Sequence, residues 1–289
     1  MTGIEPAVYN HLCDCLGSQT LTLEPIGGGS INKAFKVSTP SRDLFCKVNS
    51  ATKFPHLFNK EALGLALLAK YGIIQTPMVI NTFVTTSHQV LLLEWIEATT
   101  PTPVCFKRFG EQLAALHAQT QESFGLDTDN YMGSVPQVNT KQRDWPTFFI
   151  QQRLEPLVQQ CHTLRLLNAR QVAHFQRLYQ RIPTIFSQES PSLLHGDLWS
   201  GNFMCTPDQQ PVLIDPAVYF GHRSIDLGMT TLFGGFGKDF YEAYHYHYPF
   251  PGNYQEQWAV SNLYPLLIHL LLFGKSYLSS IERTLNDFQ

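Results

Sequence analysis

A chain of 289 residues, 44% hydrophobic and 15% charged, is long enough for one large domain or for two lobes with separate cores. Its net charge of −3 argues against a nucleic-acid surface, so any polyphosphate it binds has to meet locally concentrated positive charge and metal. No signal peptide or membrane-spanning run is legible and the six cysteines are scattered, so a cytoplasmic protein with reduced thiols and no membrane partner is expected.

Cys13-Asp14-Cys15 opens the chain with two potential ligands, too few for a tetrahedral metal site. Residues 20–26 are extended in pattern and lead into Gly27-Gly28-Gly29-Ser30-Ile31-Asn32. Alternation then resumes in Ala34-Phe35-Lys36-Val37, which predicts a β-hairpin. Consecutive glycines let backbone N–H groups approach a phosphate without obstruction from a Cβ, so Gly28, Gly29, Ser30 and Asn32 are candidate nucleotide contacts. The alternative is a flexible hairpin tip. It is no Walker loop, because no Gly-Lys-Ser/Thr follows and a strand, not a helix, comes next.

A third strand is predicted over residues 43–49, with Lys47 between Cys46 and Val48. An ammonium among apolar neighbours must find a partner or escape to solvent. The next segment, residues 58–69, predicts a helix with Leu63, Ala66, Leu67 and Lys70 at helical spacing and Glu61 in its first turns. Lys47 then reads as a phosphate anchor steadied by Glu61, against the alternative of an edge-strand lysine in solvent. Residues 80–84 and 90–93 predict two further strands around a polar turn. The second runs into Glu94-Trp95-Ile96-Glu97 and a Thr/Pro connector, the pattern of a hinge whose backbone at Glu94, Trp95 and Ile96 can pair with adenine.

Residues 106–120 carry Phe109, Leu113, Leu116 and His117 on one helical face. Residues 154–186 predict one or two helices ended by Pro183, before a Ser/Pro-rich connector. Leu193-Leu194 and Val212-Leu213-Ile214 are short strands that bracket His195-Gly196-Asp197-Leu198-Trp199-Ser200-Gly201-Asn202 and aim Asp197 and Asp215 at one cleft. The chain is mostly helical from Ser224 on, with Asp226 read as an N-cap or first-turn acid. His245 and His247 read as helix-surface or interface side chains, and the apolar run Leu263–Phe273 as a buried helix.

His-Gly-Asp alone is an ordinary turn, and Asp215-Pro216 alone an ordinary strand exit. Their order changes the reading: an acid, an Asn five positions on, and a second acid thirteen beyond it supply what metal-assisted phosphoryl transfer needs. Asp197 can take the proton of an attacking hydroxyl, while Asn202 and Asp215 can hold the Mg²⁺ that neutralises a triphosphate. Trp199 sits two residues past the base, where its flat face could stack on a sugar; the alternative is a core tryptophan.

These motifs resemble those of the fructosamine kinase (ketosamine 3-kinase) family, a branch of the aminoglycoside phosphotransferase-like kinases. Matching pieces include Gly27-Gly28-Gly29-Ser30-Ile31-Asn32, Lys47-Val48-Asn49, Glu61-Ala62-Leu63-Gly64-Leu65, Ile214-Asp215-Pro216-Ala217 and Gly221-His222-Arg223. Trp199-Ser200-Gly201 together with Asp129-Asn130-Tyr131-Met132-Gly133 is the more specific signature of the ketosamine branch. One departure is Ser224, where an acidic residue often follows the arginine in the family, and it bears on fine substrate preference.

The resemblance implies an α+β, protein-kinase-like two-lobed fold: a small β-rich N-lobe with one main helix and a larger, mostly helical C-lobe. Residues 1–97 would form the nucleotide-binding lobe, 98–103 the hinge and 104–289 the catalytic and substrate lobe. It implies ATP and Mg²⁺ as cofactors and phosphorylation of the 3-hydroxyl of a ketosamine, either a small glycated amine or a protein lysine, by a monomer. A kinase of another small hydroxyl or amino-sugar compound, aminoglycoside- or choline-kinase-like, is the alternative; the few, scattered acids of residues 234–289 favour a less cationic substrate. A nucleotide-binding module without catalysis is disfavoured because base, metal and lysine positions are all occupied. Protein kinase activity is disfavoured because no Ala-Pro-Glu-type segment follows Asp215.

Overall fold

The computed structural model describes residues 4–27, 32–186 and 188–288. Helix α1 (Pro6–Leu16) starts on a proline, whose missing N–H costs nothing in a first turn, and stops at Gly17 in the left-handed region. Strands β1 (Thr22–Ile26) and β2 (Lys33–Ser38) pair antiparallel with Ile26 opposite Ala34. The predicted hairpin therefore forms; three of its candidate contacts, Gly28, Gly29 and Ser30, lie outside the described residues.

With β3 (Asp43–Ser50), β4 (Val79–Val84) and β5 (His88–Glu94) the sheet is completed in the order β1-β2-β3-β5-β4, every pair antiparallel. The unbroken apolar run of β5 follows from being covered twice. Val90 and Leu92 join α1 and β3 in one core, whereas Leu91 and Leu93 pack with helix α2 (Leu57–Tyr71) on the other face. The face α2 buries differs from the predicted stripe. Phe58, Gly64, Leu65 and Leu68 point inward, while Leu63 is 58% exposed. This helix is apolar almost all round, so spacing alone cannot choose its inner face. The choice falls to Gly64, where a Cβ would stand 3.3 Å from the Val218 side chain and 3.4 Å from that of Pro216.

The remainder is mainly helical. Helix α3 (Pro103–His117) buries Phe109, Leu113, Leu116 and His117 as expected and lies against α8 (Lys238–His247). The contact is close enough that a Cβ on Gly110 would come within 2.2 Å of the Phe240 carbonyl oxygen. The short strands β6 (Asn130–Met132) and β7 (Val135–Gln137) form a hairpin. After it, α4 (Trp145–Phe149) runs through a π-helical turn, Ile150–Leu154, into α5 (Glu155–Thr163). Helix α6 (Ala169–Ile185) opens with an Asn168/Gln171 capping box and continues two residues past Pro183. The proline therefore falls within the helix's last turn and does not end the helix as expected.

Strand β8 (Ser192–Leu194) pairs with β11 (Tyr219–Gly221), and β9 (Phe203–Cys205) pairs with β10 (Pro211–Leu213). Helices α7 (Ser224–Leu232), α9 (Tyr254–Ser261), α10 (Leu263–Phe273) and α11 (Leu278–Asp287) close the chain. The apolar run predicted as a buried helix is α10, most of which is buried. Among the described residues no helix is long and apolar enough to cross a membrane.

Candidate active site

The two β-pairs of the C-terminal part do what the short apolar dipeptides predicted: they fix the loop between β8 and β9 and the segment after β10 against each other. A cavity of about 780 Å³ opens there, lined by the five-stranded sheet, by α2 and by both of these segments. Lys47, Glu61, Asp197, Trp199, Asn202 and Asp215 all face it, as do Asn32, Glu94, Trp95 and Ile96. Every predicted site residue within the described stretches is therefore gathered in one place.

Lys47 is 3% exposed and donates to Glu61 Oε1 at 2.7 Å and to Asp215 Oδ1 at 2.5 Å. Burial works against its charge, but the Asp215 and Glu61 carboxylates outweigh it and hold the lysine above its ordinary pKa. The edge-strand reading of Lys47 is thereby excluded.

Asn202 belongs to the single 3₁₀ turn Ser200–Asn202, and its amide N–H donates to both the backbone oxygen (2.9 Å) and the carboxylate (3.0 Å) of Asp197. Its own carbonyl accepts from the Ile214 N–H at 3.1 Å, tying the loop to the residue before Asp215. Burial, reinforced by the Asp215 carboxylate and only partly opposed by Asn202, pushes Asp197 up to about 7. A carboxyl group poised near neutrality suits a proton acceptor.

The loop's shape also rests on backbone conformation and on buried partners. Gly196 has φ +84°, and a Cβ there would lie 2.1 Å from the Ala217 carbonyl oxygen, so only glycine fits. Asp215 takes φ +56°, a conformation that Asp tolerates better than most residues. His195 is fully buried and lowered by burial, which outweighs the pull of Asp226. The neutral ring donates through Nε2 to the Ile214 carbonyl (2.8 Å) and accepts at Nδ1 from the Asp197 N–H (3.3 Å).

Asp226 is more than the first-turn acid the sequence suggests. It lies in the first turn of α7, fully buried, and its two carboxylate oxygens accept the backbone N–H groups of His195 (2.7 Å) and Gly196 (2.8 Å). Behind it stand His117 at 3.2 Å and, bonded to His117 at 2.8 Å, Tyr244. Its distance from Asp197 in the chain hid this role. The one available signal was an acid amid the apolar residues of a helix.

Trp199 is half-buried. Its indole overlies Gly201, where a Cβ would meet the ring at 2.2 Å, and meets Phe233 edge-to-face at 5.8 Å while still lining the cavity. Ser224 is buried between His222 Nδ1 and Ser261 Oγ, both at 2.8 Å, away from the cavity, so the departure noted there is a packing feature. The Asn130-Tyr131-Met132-Gly133 signature also resolves into parts. Asn130, Tyr131 and Gly133 all line the cavity; Asn130 donates to the Val218 carbonyl at 2.8 Å and Tyr131 to the Pro55 carbonyl at 3.0 Å.

The donors suit a hard divalent ion. Mg²⁺ takes oxygen ligands and keeps several of them from water and phosphate. Among the described residues nothing engages the Asn202 amide oxygen, and Asp215 is engaged only through Oδ1. Among the described residues no three His, Cys, Asp or Glu side chains could hold a metal by themselves, so an ion here would share its ligands with phosphate. At the predicted hinge, the Glu94 N–H already donates to the Met78 carbonyl at 2.9 Å, and Trp95 and Ile96 follow beyond the strand along the cavity wall.

The family model described as "Fructosamine kinase" matches residues 6–289. A "Probable ketoamine kinase" of Lactiplantibacillus plantarum is 40% identical over 271 residues, covering 92% of this chain and 94% of that protein. The crystal structure of a "putative fructosamine-3-kinase" from Thermobifida fusca is 30% identical, covers 98% of each chain and superposes with a TM-score of 0.88. The choline kinase LicA of Streptococcus pneumoniae, 16% identical with a TM-score of 0.64 over 98% of each chain, shares the protein-kinase-like fold.

Proposed function

The chain belongs to the fructosamine kinase family and is a phosphotransferase, and from that premise we propose that it moves the terminal phosphoryl group of ATP to the 3-hydroxyl of a ketosamine. The observation that carries this reading is the Asp197 carboxyl group, held by Asn202 and poised near neutrality, in the same cavity as the Lys47–Asp215 pair. Residues 1–97 and 104–289 act as the two lobes on either side of a hinge at 98–103. Adenine lies against the segment from Glu94 to Ile96, where Trp95 and Ile96 supply the backbone groups that Glu94 has already spent on Met78. Asn32, which lines the cavity, contributes a polar contact to the phosphates.

Lys47, kept protonated and oriented by Glu61, anchors the phosphates. Asn202 and Asp215 would hold Mg²⁺, which supplies charge neutralisation on the polyphosphate when bound. Asp197 orients the acceptor hydroxyl and takes its proton as the new P–O bond forms. Trp199 stacks on the acceptor, with Phe233 bracing the indole.

A phosphate at C3 flanks the C2 ketone of the product. After enolisation toward C1 it leaves by elimination, and hydrolysis then frees the amine, which makes the reaction a deglycation step. The test is a screen of ribulosyl-, erythrulosyl- and fructosyl-lysine with MgATP, locating the new phosphate by NMR. Transfer to a 3-hydroxyl is expected. Transfer only to an aminoglycoside or choline would replace this acceptor with another.

A further inference from the structure

We propose that Lys60 is a second phosphate-binding cation, which meets the terminal phosphoryl group of the nucleotide from α2. The proposal rests on the kinase reading and extends it to a residue that no motif marks. The charged side chains lining the cavity are two lysines, Lys47 and Lys60, and five carboxyl groups, Glu61, Glu94, Glu97, Asp197 and Asp215. Lys47 is committed to two of these carboxylates. A polyanion entering this cavity therefore meets an excess of negative charge, and positive charge that is still free carries unusual weight.

Lys60 is that charge. It is half-buried and faces the cavity, and its ammonium makes no ion pair or hydrogen bond among the described residues. It precedes Glu61 in the first turns of α2, so its backbone lies one residue from the carboxylate that holds Lys47, which in turn holds Asp215. Leu57, one turn earlier on the same helix face, lines the cavity too, and Tyr131 closes the gap from the β6–β7 hairpin by its bond to Pro55. The wall beside Lys60 is thus fixed while its own four-carbon stem stays free to swing. A compact ammonium on a flexible stem suits a phosphate group that changes position during transfer.

The experiment compares equilibrium binding of MgATP and MgADP to wild type, Lys60→Gln and Lys60→Arg by calorimetry, with thermal melts to verify folding. Lys60→Gln is expected to weaken MgATP by about 10–100-fold, the usual worth of a hydrogen bond to a charged group, and MgADP by less than about twofold. Lys60→Arg should recover most of the loss. Steady-state assays should show the same change in the KM for ATP with the acceptor KM unmoved. Equal losses for both nucleotides, no loss for either, or a change confined to the acceptor KM would each overturn the proposal. Wild-type protein that fails to bind MgATP at all would overturn the kinase reading and this inference with it.

Discussion

At the scale of single residues the site is a set of charges held against their preferences. Burial keeps Asp197 near 7 from an ordinary 3.8, so the folded chain retains a proton that the unfolded chain releases between about pH 4 and pH 7. Its contribution to stability therefore falls as pH rises through that window and stays lost above it. Asp197→Asn should be more stable than wild type at about pH 8, by an order of 1–3 kcal/mol, with the difference vanishing below about pH 4. Chemical denaturation at the two pH values checks this. The same variant should lose about 10²–10⁴ in turnover while nucleotide affinity stays within a few-fold, measured by single-turnover assay and calorimetry. In wild type, kcat/KM should decline as pH falls through about 7, the range in which Asp197 takes up its proton. Most of these residues were legible from order and spacing alone. Asp226 was not, because a carboxylate that acts on backbone N–H groups some thirty positions away leaves no local pattern.

Among the elements, the loop between β8 and β9 depends on Asp226 of α7, itself backed by His117 of α3, on Ala217 after Asp215, and on Asn202 at its own end. Asp226→Ala would leave two buried N–H groups unpaired and should cost about 3–5 kcal/mol in denaturant unfolding, together with most of the turnover. Trp199→Ala should raise the acceptor KM several-fold with little change in the KM for ATP. If stability alone moved, the indole would be packing and nothing more. Strands and amphipathic helices were readable where one face is apolar, as in α3, or where an apolar run is short and bounded, as in β5. Helix α2 shows the limit of such reading. With leucines on every side, its inner face is decided by where Gly64 lets the chain approach Pro216 and Val218, a contact between segments some 150 residues apart.

For the molecule as a whole, ligand binding and fold are coupled through the cavity. MgATP at about a hundred times its dissociation constant should add about 2.7 kcal/mol to stability, seen as a rise in melting temperature that a chelator removes. Asp215→Ala should erase both that rise and Mg²⁺-dependent turnover. The ion pair between Lys47 of β3 and Asp215 joins the strand layer to the segment that follows β10. That pair latches together two groups on which a bound nucleotide and its metal would each draw. On the proposed roles, a bare divalent ion arriving first would find one oxygen of Asp215 already engaged, while an incoming triphosphate would compete for Lys47 and carry its own metal. Productive loading should consequently favour the preformed metal–nucleotide complex over stepwise assembly.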